Sequence, residues 1–269
     1  MPLVAGFAGC GVDLFFVISG FVIVASASRD FDHPRAVLPF VIRRFVRIYP
    51  IYWFYTTIAL IVAVMLPQWI HDSYAWSDIL SSYALWPSEK VPLVSVGWTL
   101  IYEVWFYGVI ALAILLIPVA GLARFLLLWA ALIVLGAAVL ARDAIPPFVA
   151  VATHPLGLEF IAGALGALAW RHIPGSLGLP LLCFGGILGW ASMFAATELF
   201  SEFPTGWGRV LAFGIPSVIL VLGCVVWEDR GIRQAKGPLL VIGDASYSLY
   251  LCHFFVVLRS QGRRVPTCR

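Results

Sequence analysis

Charge is what this sequence has least of. Asp, Glu, Lys and Arg make up 12% of its 269 residues while hydrophobic residues make up 62%. A soluble domain carries about 25% charged residues. A core of this length cannot hide so much apolar surface from water, so lipid must solvate much of the chain. A net charge of +3 from few groups excludes the basic stripe of a nucleic-acid-binding protein. The five cysteines (Cys10, Cys183, Cys224, Cys252, Cys268) are scattered, with no C-x-x-C pair and no metal spacing. Cys183, Cys224 and Cys252 sit inside apolar runs, where Cys serves as a small hydrophobe. No Walker loop, G-x-G-x-x-G, G-x-S-x-G or H-E-x-x-H occurs. The N-terminus lacks the basic stretch of a signal peptide, and no internal repeat stands out.

What the chain does have is apolar runs near the 20 residues or so that a bilayer requires. They predict an all-α fold, a polytopic transmembrane helix bundle of about eight spans. The expected spans are 12–28, 49–66, 97–117, 122–140, 155–170, 177–196, 207–227 and 239–258, with a short amphipathic basic stretch before the second. Pro67, Pro118, Pro146–Pro147, Pro174–Gly175, Pro204 and Gly237–Pro238 mark the joints. The chain divides into one membrane domain, 1–258, and a basic tail, 259–269. The longest connection, Pro67 to Val96, is rich in Trp and Tyr, as suits the headgroup level, and is expected to hold one short helix at most. Ten loop Lys and Arg fall on one side, including Arg43, Arg44 and Arg47, against Lys90, Arg142 and Arg209 on the other. The basic side is expected to be cytoplasmic. Arg259, Arg263, Arg264 and Arg269 break that alternation, so either a span is miscounted or the tail is not native.

Ionisable residues within spans are functional candidates by default. Asp13 stands at the expected outer end of the first span, where a carboxylate caps a helix, orients a catalytic base or holds a cation; the residue alone leaves these open. Ser19 and Gly20 follow as small packing residues. Arg43 and Arg47 share a helix face with Arg44 beside them, ahead of the second span. They serve either as topogenic and lipid anchors or as a phosphate clamp. Glu103, set among Trp98, Tyr102, Trp105, Phe106 and Tyr107, is hard to explain as packing and suits proton transfer or hydrogen bonding to a sugar hydroxyl. Glu159 begins the fifth span, where the helix dipole is a sufficient reason for an acid. His253, deep in the last span, is a base, a relay or a helix–helix hydrogen bonder.

Four blocks in order, Gly11–Phe21 (GVDLFFVISGF), Arg43–Trp53 (RRFVRIYPIYW), Trp98–Tyr107 (WTLIYEVWFY) and Ser246–His253 (SYSLYLCH), resemble the acyltransferase-3 family of integral membrane O-acyltransferases. Leu158–Gly163 (LEFIAG) is a weaker fifth. The resemblance implies transfer of an acetyl or other short acyl group from acyl-CoA to a hydroxyl of an envelope glycan or lipid. No tightly bound cofactor and no metal are implied. Glu103, His253 and Asp13 become catalytic candidates, with Arg43, Arg44 and Arg47 facing the donor's phosphates. Ser19, Trp98, Tyr107 and Glu159 become acceptor contacts, with Asp13 and Ser19 lining one central cavity. The family's first helix carries an arginine and a catalytic histidine that have no counterpart before Gly11. The chain is therefore expected to be a fragment, a mis-called gene start or a degenerate copy. Two competing expectations are a transporter using Glu103, Glu159 and His253 as a relay, and a non-catalytic membrane subunit.

Overall fold

The computed structural model describes residues 2–65, 74–140, 145–198, 204–229 and Leu251. Among them there is no strand, and ten α-helices follow one another, several joined by short 3-10 turns. These are α1 (Pro2–Ala27), α2 (Val37–Met65), α3 (Trp76–Ala84), α4 (Trp98–Leu116), α5 (Leu122–Val139), α6 (Pro147–Ala152), α7 (Gly157–Ala169), α8 (Gly178–Glu198), α9 (Gly206–Arg209) and α10 (Ile215–Glu228). Six helical stretches are long and apolar enough to cross a membrane: Cys10–Ala27, Pro34–Met65, Ser95–Leu116, Val119–Val139, Gly175–Ala196 and Gly206–Glu228. The protein is an integral membrane helix bundle.

Three of the expected spans need correction or stand apart. The second does not begin at Tyr49: α2 runs unbroken from Val37, through Pro50, so the arginines lie within the helix rather than ahead of it. Proline within an apolar helix is tolerated where neighbours satisfy the carbonyl it leaves unpaired. The fifth is short. With 13 residues α7 is about 20 Å long, against a hydrocarbon layer of about 30 Å, and it is buried against neighbours instead. The eighth, 239–258, lies outside the described residues apart from Leu251, as do His253 and the basic tail.

The chain divides into two compact units, one formed by Met1–Phe40 with Gly108–Gln234, the other by Val41–Tyr107 with Ala235–Arg269. In the first unit α1 lies along α7 and α8 along α10. Glycine permits the approach of α1 and α7. A Cβ at Gly20 would fall on the carbonyl oxygen of Phe160, and one at Gly163 on the carbonyl oxygen of Val17. Small residues at helix crossings are the usual means of close packing in lipid, where no hydrophobic force drives helices together. The rings of Phe16 and Phe160 stack beside this crossing with centroids 4.5 Å apart. Gly163→Leu is expected to force the two helices apart and abolish a folded, monodisperse peak in detergent size exclusion. A peak indistinguishable from wild type would show that the crossing is not required.

In the second unit α3 is tied by its C-terminal end to one face of α2. Tyr49 donates to the Ala84 carbonyl (3.0 Å), Tyr52 to Ser82 (2.9 Å) and the Trp53 indole to Tyr83 (2.9 Å). At the other end of α3 the Asp78 carboxylate accepts the Ala75 N–H (2.8 Å) and pairs with Lys90 (3.1 Å). That backbone hydrogen bond and the Lys90 ammonium hold the Asp78 carboxyl below the usual carboxylate range. The expected short helix in this connection is thus present, with Trp76 and Leu80 exposed on it.

Candidate active site

The second unit holds a polar cluster within its apolar helices. Glu103 and Tyr107 are one helical turn apart on α4, so their side chains share a face. Both are buried, and the Tyr107 hydroxyl donates to Glu103 Oε1. The half-buried Arg44 of α2 places its guanidinium 5.5 Å from the centre of the Tyr107 ring, within cation–π range. Tyr107 is the tenth of the nineteen residues of α4, so the guanidinium meets that helix near its middle. Arg44 itself lies within α2 rather than at the entry of the second span. Arg43 and Arg47 are exposed on the same stretch of α2, and their charges act on Arg44. Trp98 opens α4, half-buried, with its ring edge-on to Tyr102 at 6.0 Å. Gly97, just before it, lies against the Tyr52 ring, 3.1 Å from the position of an added Cβ. Of the expected residues, Arg44, Glu103 and Tyr107 are therefore brought together, with Trp98 on the same helix.

The first unit holds a separate cluster. Asp13 is the twelfth residue of α1 and fully buried. The helix-cap reading of Asp13 is thereby corrected, because Pro2–Cys10 already belongs to the helix and no free N–H groups remain for it to accept. Its partner is Arg209, at the end of α9: Nε donates to Oδ1 at 2.8 Å and Nη2 to Oδ2 at 3.0 Å. This two-pronged fork is the strongest geometry open to a guanidinium and a carboxylate. Glu159, third residue of α7 and likewise buried, is a neighbour of Asp13. Neither of its carboxyl oxygens meets a donor among the described residues. Its Oε1 would lie 2.9 Å from a Cβ at Gly214, so that glycine leaves the room the carboxyl fills. Between Arg209 and α10 the helix widens into a π-helical turn, Val210–Gly214. Such turns are rare and occur often at functional sites.

Ser19 is buried on α1, six residues beyond Asp13. That spacing turns it roughly 120° around the helix. The two side chains therefore leave α1 in different directions. Arg209 was passed over in the sequence as one of three loop cations on the sparsely charged side. Its signal was there: a lone arginine directly ahead of an apolar run, on the side where cations are scarce, needs an anion. His253 lies outside the described residues.

Comparison with known proteins agrees with this architecture. The sequence profile of the acyltransferase domain matches residues 2–262. The chain is 33% identical over 266 residues to the exopolysaccharide production protein ExoZ of Rhizobium meliloti (strain 1021). The alignment covers 92% of this chain and 76% of that protein. No solved structure matches.

Proposed function

The chain belongs to the acyltransferase-3 family of integral membrane proteins, and on that premise we propose that it moves an acyl group, acetyl in the simplest case, from acyl-CoA to a hydroxyl of a cell-envelope polysaccharide. The relative's name, exopolysaccharide production protein, favours a glycan over a lipid acceptor. The observation that carries the reading is the buried Glu103–Tyr107 hydrogen bond with the Arg44 guanidinium against it. A carboxylate, a phenol and a cation inside an apolar helix pair have no packing role that leucine would not fill better.

In this reading Glu103 takes the proton from the acceptor hydroxyl. The oxygen then attacks the thioester carbonyl. The tetrahedral intermediate collapses with cleavage of the C–S bond, and the departing thiolate takes up a proton, leaving ester and free CoA. Tyr107 holds Glu103 in its rotamer, and Trp98 flanks the acceptor. Arg44, with Arg43 and Arg47, faces the donor's phosphates, for which guanidinium forks are well shaped. Asp13, engaged by Arg209, acts through placement. Ser19 and Glu159 remain proposed acceptor contacts, and His253 a second candidate base. The basic side faces the cytoplasm, where acyl-CoA is available, and the protein is placed in the bacterial plasma membrane.

The test is transfer of radiolabelled acetyl from acetyl-CoA into envelope glycan by membranes containing the chain. Arg44→Ala is expected to raise KM for the donor roughly tenfold or more, from the 1.5–3 kcal/mol of a charge-assisted hydrogen bond. An unchanged donor KM would sink the phosphate role. The absence of label from any short acyl-CoA, with the protein verified in the membrane, would sink the donor assignment.

A further inference from the structure

A groove of about 330 Å³ opens in the first unit between α1, α8 and the start of α10. That volume lies in the range of small-molecule sites, about 300–1,000 Å³. Its walls are almost wholly apolar, with Leu14 from α1, Trp190 and Met193 from α8, and Phe213 and Leu220 from the opposite side. Four glycines also line it, Gly11, Gly186, Gly189 and Gly185, the last packed close against the backbone of Leu220. The first two are unlike the glycines of the α1–α7 crossing. A Cβ added at Gly11 or Gly186 would meet nothing within 4 Å, and at Gly189 only the ordinary contact of Pro216 at 3.6 Å. Close packing therefore does not require glycine at Gly11 or Gly186. Glycine is a poor helix former, and leucine is the ordinary choice where a helix faces lipid. What these two glycines achieve is an open groove.

The groove runs out onto the lipid-facing surface of α8, where Phe184, Ile187 and Trp190 are all more than half exposed. All three walls belong to stretches able to cross the bilayer. Its occupant therefore enters sideways from the hydrocarbon layer, and the polar part of the lining is too small to hold a headgroup. We propose that this groove is a binding site for one acyl chain of a bilayer phospholipid, held along α8 by Trp190 and Phe213 and admitted by the missing side chains of Gly11 and Gly186. The site is independent of the donor and acceptor assigned above.

The test is native mass spectrometry of the full chain, released from mild detergent after extraction from phospholipid membranes. The wild type is expected to retain one adduct of phospholipid mass. Gly186→Leu fills the groove without a backbone clash and should reduce that adduct at least fivefold, and Gly11→Leu should do the same from the facing wall. Gly108→Leu is the control: that glycine of α4 also has open space around it and lies outside the groove, so the adduct should persist. Circular dichroism and size exclusion must show each variant folded, and if one groove variant fails there the other decides. The proposal is overturned by a wild type without adduct, by undiminished adduct in the folded groove variants, by equal loss in Gly108→Leu, or by an adduct that is not a phospholipid.

Discussion

Glu103→Gln is expected to lower kcat for acyl transfer by about 10²–10⁴, the usual contribution of a positioned acid or base, with the protein present in the membrane at its normal level. The substitution is close to isosteric. It keeps an oxygen to accept the Tyr107 hydroxyl and removes only the capacity to take a proton, so the local packing of α4 should survive it. Tyr107→Phe removes the donor and leaves the acid. Its effect should be smaller, a few-fold to tenfold, as befits one net hydrogen bond of about 0.5–1.5 kcal/mol. Initial rates at saturating acyl-CoA, with glycan-bound label as readout, separate the two. A Glu103→Gln enzyme within threefold of wild type would remove Glu103 from the chemistry and make His253 the next residue to replace.

Breaking the Asp13–Arg209 pair should produce a large loss of stability. Removing one partner of a buried, hydrogen-bonded ion pair leaves an uncompensated charge and typically costs about 3–5 kcal/mol. The Arg209 side chain retains 13% of its exposure while Asp13 has none. Asp13→Ala, which strands the partly wetted arginine, should therefore fall near the lower end of that range, and Arg209→Ala, which strands the sealed carboxylate, near the upper end. The double variant Asp13→Leu, Arg209→Met should recover most of the loss, because well-packed apolar side chains of similar size often replace such pairs without penalty. Thermal unfolding in detergent of the four proteins gives the comparison. Strict additivity of the two single losses would show that the residues do not act as a pair.

The class of fold was legible because one quantity dominated it. With so little charge and apolar runs near 20 residues, too long and too continuous for barrel strands, membrane helices were the structure that satisfies the backbone. The third, fourth, sixth and seventh expected spans agree with α4, α5, α8 and Gly206–Glu228 to within a few residues, since Pro and Gly punctuate those joints. The second was cut short because a proline and three arginines in Phe40–Pro50 look like a boundary, and only the facing helix shows what they stand against. The fifth, expected over 155–170, has nearly the bounds of α7; what the sequence did not show is that so short an apolar helix lies buried along α1 rather than spanning by itself.

For the candidate site the difference is between local and distant pairing. Glu103 and Tyr107 are four residues apart, so their contact is written in the helical repeat. Asp13 and Arg209 are 196 residues apart. No periodicity carries that separation, and only the scarcity of cations on that side hinted that Arg209 had an anion to meet. The widened turn after Arg209 left no mark at all, because Val210–Gly214 is composed like any apolar helix.

That turn ties chain length to charge placement. A π-helical turn amounts to one residue more than the same stretch of α-helix would hold. Deleting a single residue within Val210–Gly214 would let the backbone close into an ordinary helix and swing everything before it by roughly 100° relative to α10. Arg209 would then point away from Asp13. A one-residue gap at this place, in an alignment of related proteins, would thus be no neutral indel. A relative with a regular helix here would have to carry its arginine at a neighbouring position to reach the same aspartate, and the two changes would be inherited together.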